Sequence, residues 1–261
     1  YIYSYKSREL IKNIKAFINR EFKSDKCILD SLNLLEGKKV YRYLLEVTAG
    51  LRSLALGEYQ IQGQVKNAYL NAMQNRHISG YLISIFESAL KTGKRIRTET
   101  EIGQNNLSLS SVAIDIMFQL NKPKKETPIL MVGTGKMSKL ATEYFYKMGY
   151  KSILFFSNSP NKRKDFIKKY NFTVLPLREL KSYIEKYKFI FAAISPLASS
   201  IPLSLIENKS EPLSIIDLSV PSYFRKSTFT NSDSIIVDMD TIKQLESNYF
   251  LILRPSLEKC E

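Results

Sequence analysis

A glycine-bearing turn between an apolar run and a helix carries the strongest chemical signal in this chain. Gly133, Gly135 and Ser138 occupy the three positions of a G-x-G-x-x-G pattern, and Ile129–Val132 precede them. A helix that starts at such a turn offers unpaired backbone N–H groups and a positive dipole end to a pyrophosphate. Gly133 permits the tight turn, Gly135 lets phosphates approach the backbone, and Ser138 is small but not ideal. The pattern predicts a dinucleotide site that comprises Gly133, Thr134, Gly135, Lys136, Met137 and Ser138.

The residues after the apolar run 152–156 indicate whether the site would bind NAD(H) or NADP(H). A site for NAD places Asp or Glu about twenty residues beyond the glycines, where the carboxylate binds the ribose hydroxyls. Here Ser157-Asn158-Ser159-Pro160 stands at that point, and Lys162, Arg163 and Lys164 come next. Neutral donors and cations suit the 2′-phosphate of NADPH, whereas a carboxylate would repel it. The sequence therefore predicts NADPH, held by Asn158, Lys162 and Arg163, with a solvated helix face as the alternative for the cations.

Charge and cysteine usage narrow the classes of partner. Lysine and arginine number 39 against 25 acidic residues, which gives a net charge of +14. This excess favours a polyanionic partner such as RNA, although a lysine-rich genome would produce it as well. The two cysteines, Cys27 and Cys260, and the one histidine, His77, give no metal-ligand spacing. No apolar run reaches membrane-spanning length and no signal peptide opens the chain, so we expect a cytoplasmic protein with no metal and no membrane contact.

Apolar periodicity divides the chain into a helical part and an alternating part. Helices are predicted at residues 6–24, 38–48, 61–73, 81–96 and 108–120. The polar, proline-bearing segment 121–128 comes next and marks a domain boundary. Apolar runs then alternate with helical stretches, at 129–133, 152–156, 172–175, 188–194, 213–218 and 234–238. This rhythm predicts an α/β protein, with a helix-rich α+β N-terminal domain followed by a Rossmann-type doubly wound parallel sheet domain.

Two segments of the helical part resemble signatures of the glutamyl-tRNA reductase family. The run Ala-Gly-Leu-Arg-Ser-Leu-Ala-Leu-Gly-Glu-Tyr-Gln-Ile-Gln-Gly-Gln-Val-Lys, from Ala49 to Lys66, is similar to the first. Residues 93–103, followed by 107–113, are similar to the second. Later segments resemble the NADPH site and further landmarks in the family's order, at Gly133–Ala141, 216–221 and 237–240. The resemblance implies NADPH-dependent reduction of glutamyl-tRNA to glutamate-1-semialdehyde, a step of tetrapyrrole (porphyrin) biosynthesis.

The nucleophile of the family reaction has no counterpart in this chain. That reaction uses a cysteine thiolate, which takes the glutamyl group from tRNA as a thioester that a hydride then reduces. The resemblance places the cysteine upstream of residue 1, because Tyr1-Ile2-Tyr3 resembles the strand that comes after the family's cysteine segment, and Cys27 is not its counterpart. The implied domains are a catalytic-type domain at 1–120, incomplete at its start, a Rossmann domain at 121–239 and the start of a spinal or linker helix at 240–261. A homodimer is implied if that last helix extends.

The resemblance also assigns residues to the substrate. Tyr43 aligns with the family's active-site histidine, and its hydroxyl would donate a hydrogen bond rather than exchange a proton, because a phenol titrates at about pH 10. The implied substrate-binding residues are Arg52, Ser53, Glu58, Gln60 and Gln64. Structural alternatives exist for several of them, since Arg52 also fits a solvated cation, Ser53 a helix cap and Gln64 a helix surface.

Three functions fit the sequence. The first is the NADPH-dependent reductase, with glutamyl-tRNA as its partner. The second is a catalytically degenerate homologue that binds NADP(H) or tRNA, and the missing cysteine and Tyr43 favour it. The third is another small-molecule dehydrogenase, which would not need the Ala49–Lys66 signature. Lys94, Arg95 and Arg97 are the candidate contacts with tRNA phosphates, and a solvated helix end is the alternative for this basic cluster.

Overall fold

The computed structural model describes residues 1–2, 7–22, 33–100, 102, 108–159, 168, 170–194, 211–224, 231 and 233–245. The chain divides into two compact units, with the boundary in sequence between Asn105 and Asn106. In the described residues, the N-terminal unit consists of helices and turns, and the C-terminal unit is built around a parallel sheet.

The described part of the N-terminal unit contains the helices α1 (Ser7–Phe22), α2 (Lys38–Ala49), α3 (Tyr59–Gln74) and α4 (Tyr81–Glu99). Helix α2 ends because Gly50 adopts a left-handed conformation, with φ of 80°. The N–H of Gly50 then donates to the Val47 carbonyl, and the N–H of Leu51 donates to the Glu46 carbonyl. This pair of hydrogen bonds is a Schellman motif, which satisfies the last carbonyl groups of a helix.

Helices α2, α3 and α4 share one small core. Its buried side chains are Leu44, Tyr69, Phe86 and Ala89. The Tyr69 and Phe86 rings stack with their centroids 5.9 Å apart. Gly93 lets α4 approach α2 closely, because a Cβ at that position would lie 3.0 Å from the Thr48 carbonyl oxygen. The close helix pair supports the turn that leads from α2 into α3.

A six-stranded, all-parallel sheet forms the centre of the C-terminal unit. Its strands are β1 (Ile129–Val132), β2 (Ile153–Ser157), β3 (Thr173–Pro176), β4 (Phe189–Ala192), β5 (Ser214–Asp217) and β6 (Ile235–Asp238). They run in the order β3-β2-β1-β4-β5-β6, which is the doubly wound order with a topological switch point between β1 and β4. Every residue of β1, β4 and β5 is buried, as expected for central parallel strands that are covered on both faces.

The helices of this unit include α5 (Leu109–Leu120), α6 (Lys136–Lys147) and the single turn α7 (Lys181–Ile184). Residues 239–245 are also helical, which agrees with the helix predicted to start near Asp240. Helix α5 begins at a capping box, in which the Ser108 and Ser111 side chains each accept a hydrogen bond from the other's backbone N–H.

Helix α5 belongs with the sheet rather than with the helices that precede it. The Phe118 ring lies 6.1 Å from Phe145 and 6.3 Å from Phe189, measured between centroids. The Tyr144 hydroxyl donates to the Asp115 carboxylate at 2.6 Å, and burial raises the pKa of Asp115 while this hydrogen bond opposes the rise. These contacts explain why the units divide before α5, whereas the sequence places the domain boundary in segment 121–128, after it.

In the described part of the chain, none of the helices combines the length and the apolar content needed to cross a membrane. Within the same residues, no group of three or more His, Cys, Asp or Glu side chains is arranged to hold a metal ion.

Candidate functional site

Gly133 follows β1 at the switch point of the sheet. Its N–H donates to the Phe156 carbonyl at 2.8 Å, and its φ of 104° suits glycine alone. A Cβ at this position would lie 2.5 Å from the Ala193 carbonyl oxygen, which belongs to the chain that continues from β4. The fold itself therefore requires glycine at position 133.

Gly135 has no such structural requirement. It precedes α6 in an extended conformation, with φ of −70° and ψ of −173°, and apart from its two neighbours in the chain no described residue has an atom within 4 Å of an added Cβ. The open space lies at the N-terminus of a 12-residue helix, whose first N–H groups have no acceptor within the helix. A pyrophosphate fits this space, because the N–H groups and the helix dipole both favour an anion.

The other residues predicted in the glycine turn have mixed environments. The Thr134 hydroxyl lies 3.0 Å from the Ser157 hydroxyl, which links the ends of β1 and β2. Lys136 is exposed, and the Met137 carbonyl accepts a hydrogen bond from Ser110 at 3.0 Å. Ser138 replaces the third glycine of the pattern; it is fully buried and its hydroxyl has no hydrogen-bond partner among the described residues.

The end of β2 carries hydroxyl and amide groups. Ser157 accepts a hydrogen bond from the Ser159 N–H at 3.1 Å, and the Asn158 side chain is exposed. The Ser157 hydroxyl lies beside the glycine turn, through its contact with Thr134. The 2′-phosphate site that the sequence predicts in this segment stays a prediction. Lys162 and Arg163, the two cations predicted to assist them, lie outside the described residues.

Asp217 organises the chain after β5, although its residue type and spacing predicted no such role. Its fully buried carboxylate accepts hydrogen bonds from the Ser219 N–H at 3.0 Å, the Ser222 hydroxyl at 2.8 Å and the Phe224 N–H at 2.8 Å. The Ser219 hydroxyl in turn accepts from the Ile194 N–H at 3.2 Å. Asp217 therefore fixes residues 218–224 after β5 and, through Ser219, holds Ile194 after β4, at the edge of the sheet where dinucleotides bind.

In the N-terminal unit, the turn between α2 and α3 brings Ser53 and Glu58 together. The Ser53 hydroxyl accepts from the Ala55 N–H and donates to the Glu58 carboxylate, both at 3.2 Å. The turn closes through the Gly57 N–H, which donates to the Gly50 carbonyl at 3.1 Å. Glu58 is 8% exposed at the start of α3, so a buried carboxyl-bearing residue lies where this turn ends.

The glutamines of α3 differ in their surroundings. Gln60 is buried, and its side-chain nitrogen has no hydrogen-bond partner among the described residues. Gln62 donates to the Leu90 carbonyl at 2.9 Å, which ties α3 to α4. Gln64 is exposed on the surface of α3, which agrees with the structural alternative given for it.

The basic end of α4 is not one exposed cluster. Arg97 donates to the Gln62 side-chain oxygen at 2.7 Å and to the Thr48 carbonyl at 3.3 Å, and burial lowers its pKa. Arg95 forms an ion pair with Glu99 at 3.0 Å. Lys94 is exposed. Arg97 therefore links three helices of the unit, and it is poorly placed to contact an RNA phosphate.

Tyr43 and Arg52 contact each other at the surface. The Arg52 guanidinium carbon lies 5.2 Å from the centroid of the Tyr43 ring. Glu46 accepts hydrogen bonds from Arg42 at 2.9 Å and from Arg52 at 2.7 Å. Burial alone would raise the pKa of Glu46, but the hydrogen bonds and charges of the two arginines outweigh it, so this pKa lies below its ordinary value. The i,i+4 spacing of Arg42 and Glu46 was the available sequence signal for this arrangement.

Comparison with known proteins connects both units to one family. The family model for the N-terminal domain of glutamyl-tRNAGlu reductase matches residues 1–100, and the shikimate/quinate 5-dehydrogenase model matches residues 117–245. A glutamyl-tRNA reductase of Ruthia magnifica subsp. Calyptogena magnifica is 29% identical over 248 residues, which cover 92% of this chain and 58% of that protein. Its counterpart in Picosynechococcus sp. is 30% identical over 224 residues, which cover 84% of this chain and 53% of that protein. The chain belongs to the glutamyl-tRNA reductase family.

The chain spans about half the length of the curated glutamyl-tRNA reductases that it matches. A solved glutamyl-tRNA reductase from Methanopyrus kandleri aligns with it at 22% identity and a TM-score of 0.47, covering 86% of this chain and 58% of that protein. The doubly wound sheet and the match to a dehydrogenase model together support a nicotinamide cofactor in the C-terminal unit.

Proposed function

We propose that this glutamyl-tRNA reductase family member reduces glutamyl-tRNA to glutamate-1-semialdehyde with NADPH, in tetrapyrrole biosynthesis. The observation that carries the proposal is the open space over Gly135, at the start of α6 and at the switch point of the sheet. Glycine is not needed there by the fold, so an incoming group gives the best physical reason for it. The match of residues 1–100 to the family's N-terminal domain supports glutamyl-tRNA as the substrate.

Hydroxyl and amide groups support NADPH over NADH. Ser157 ends β2, and Asn158 and Ser159 follow it without a carboxylate; the Thr134 and Ser157 hydroxyl groups lie 3.0 Å apart. We assign the pyrophosphate to the backbone of Gly135 and Lys136, and the 2′-phosphate to the chain after β2. The bound cofactor would supply a hydride, and these residues would hold and orient it.

For the substrate we assign Ser53, Glu58 and Gln60, which lie in and beside the Gly50–Gly57 turn. Among the residues that the structure describes, the buried Gln60 amide nitrogen has no acceptor, and an acyl oxygen that reached it would satisfy it. Glu58 is held by Ser53, which fixes the carboxylate within the turn. Arg52 is already paired with Glu46, which lowers its suitability for the glutamate carboxylate.

A reductase assay tests this function with two chains. The resemblance places the nucleophilic cysteine upstream of Tyr1, so we expect formation of glutamate-1-semialdehyde by the longest open reading frame that contains this chain. The 261-residue chain alone should show no turnover. Turnover by this shorter chain that survives Cys27→Ser and Cys260→Ser would contradict the placement of the nucleophile.

Cofactor preference gives a second measurement, which the 261-residue chain itself permits. NADPH should bind more tightly than NADH, because only NADPH carries the 2′-phosphate that the donors after β2 would hold. The preference should weaken as salt rises, because charged contacts are screened. Titration by nucleotide fluorescence measures both constants, and equal affinities for the two cofactors would exclude the assignment of the 2′-phosphate.

A catalytically degenerate binding protein is the second candidate, and Tyr43 is the observation that favours it. A phenol in place of the family's histidine cannot easily exchange a proton at neutral pH. Under this alternative, the longer reading frame binds NADPH and glutamyl-tRNA but forms no product. Tyr43→His in the longer chain then distinguishes two causes of inactivity. The substitution should restore product formation if the proton donor is lost, but not if the nucleophile is lost.

The basic surface makes a separate prediction about tRNA. Lys91 and Lys94 are exposed and lie on one face of α4, whereas Arg97 links helices. Reversing both lysines to glutamate should shrink the slope of log affinity against log salt by roughly one unit for each lost phosphate contact. Lys122→Glu with Lys124→Glu, in the exposed segment between α5 and β1, is the control of equal charge. If the two double variants show equal slopes, Lys91 and Lys94 have no special role in tRNA binding. The excess of positive charge would then reflect genome composition.

Location and assembly rest on the sequence alone. We propose a cytoplasmic protein, consistent with the absence of an apolar run of membrane-spanning length from the sequence. We also propose a homodimer if the helix that starts at residue 239 extends beyond residue 261, and size-exclusion chromatography of the longer reading frame measures its mass.

A further inference from the structure

The Tyr43 and Arg52 side chains form a pair at the surface, where α2 ends and the turn after it begins. The Arg52 guanidinium carbon is 5.2 Å from the Tyr43 ring centroid, so the cation covers one face of the ring. Tyr43 is 37% exposed and the Arg52 side chain is 57% exposed. A cation–π contact therefore holds two planar groups together with part of their surface in solvent.

Glu46 holds the Arg52 member of this pair in place. It accepts hydrogen bonds from both Arg42 and Arg52, and its own side chain is only 19% exposed. Two guanidinium groups share one carboxylate, so the surface keeps a net positive charge. The Arg42 side chain is 73% exposed.

The chemistry of the pair suits an unpaired nucleotide better than a carboxylate. Arg52 already donates to a carboxylate, so a second one would compete with Glu46. Exposed aromatic rings and guanidinium planes are the surfaces on which single-stranded bases stack, and a neighbouring arginine suits the phosphate of the same nucleotide. Bases within a duplex are already stacked and cannot use such a surface.

We propose that the Tyr43–Arg52 pair stacks an unpaired nucleotide at the single-stranded acceptor end of tRNA, with Arg42 on its phosphate. This inference rests on the proposed function, and it names one contact with the substrate of that site. The acceptor end carries the glutamyl group, so stacking its terminal base would position that group for reaction. Tyr43 then has a role that needs no proton transfer.

The test compares intact tRNA with tRNA that lacks its 3′-terminal adenosine, both measured by fluorescence anisotropy at low salt. Tyr43→Ala should weaken binding of intact tRNA about tenfold, within the range of one stacked base. Tyr43→Phe keeps the ring and should change affinity by less than about twofold. Trimmed tRNA should bind wild type and Tyr43→Ala equally, because the base that would stack is missing.

Tyr81→Ala is the matched control, because Tyr81 is 62% exposed at the start of another helix of the same unit. It should leave the binding of both tRNAs unchanged. If trimming the tRNA and Tyr43→Ala each weaken binding and the two losses of affinity add, the inference is overturned. An equal loss of affinity in Tyr43→Ala and Tyr81→Ala would overturn it as well. Wild-type protein that binds intact tRNA while Tyr43→Ala has no effect overturns the inference alone. Wild-type protein that binds neither tRNA overturns the proposed function with it.

Discussion

Replacing Gly57 with alanine should destabilise the N-terminal unit by roughly 3 kcal/mol, from left-handed backbone strain and overpacking together. Gly57 has φ of 75°, a conformation that favours glycine. An added Cβ would lie 2.3 Å from the Ile102 carbonyl oxygen and 2.6 Å from an Ile102 side-chain carbon. Both contacts are far below van der Waals distance, and the backbone carbonyl cannot move aside as a flexible side chain would. Urea unfolding, followed by amide hydrogen exchange in α2, α3 and α4, measures the loss.

Gly63→Ala is the control for that substitution. Gly63 lies within α3 and its φ is not positive; beyond the backbone of its own helix, no atom of the described residues lies within 4 Å of an added Cβ. Alanine should therefore stabilise the helix by about 0.5–1 kcal/mol, because glycine has greater freedom in the unfolded chain. Equal unfolding free energies for wild type and Gly57→Ala would show that the Gly50–Gly57 turn does not have the tight geometry described above.

The sequence predicted the type of the six strands and of the long helices α1 to α6, because the apolar periods are strong in both units. Several elements end a few residues away from their predicted ends, and local contacts explain two of these differences. Strand β4 was predicted to reach residue 194 but ends at Ala192, since the chain there turns toward Gly133 and the loop after β5. Helix α4 continues to Glu99 rather than 96, where the Arg95–Glu99 pair and the hydrogen bonds of Arg97 support its last turn.

The candidate site was less predictable than the fold. The glycine turn was predicted from the sequence because the spacing of its glycines after an apolar run is a local pattern. The different reasons for glycine at 133 and at 135 emerge only when the chain after β4 is placed beside them. The buried position of Arg97 was likewise hidden, because its partners Thr48 and Gln62 are distant in sequence. A run of cations in a sequence does not tell which of them faces solvent.

Replacing Gly135 with valine should abolish binding of NADPH, with at least about a hundredfold loss of affinity, which corresponds to about 2.8 kcal/mol. The extended backbone of Gly135 suits a β-branched residue, and in the described part of the chain no residue other than its two neighbours has an atom within 4 Å of its added Cβ. The valine side chain would instead occupy the space that we assign to the pyrophosphate. Isothermal titration with NADPH measures the affinity, and thermal unfolding shows whether the fold is kept.

Gly133→Ala is the matched comparison, because substitutions at the two glycines should affect different properties, stability at 133 and cofactor binding at 135. At 133, the added Cβ would lie 2.5 Å from the Ala193 carbonyl oxygen, so the folded state itself should lose stability. At 135, the melting temperature should stay close to that of the wild type while cofactor binding disappears. A Gly135→Val protein that keeps both its stability and its NADPH affinity would place the pyrophosphate elsewhere. An equal loss of stability in the two variants would instead show that Gly135 serves the fold, and the open space at α6 would then give no argument for a cofactor.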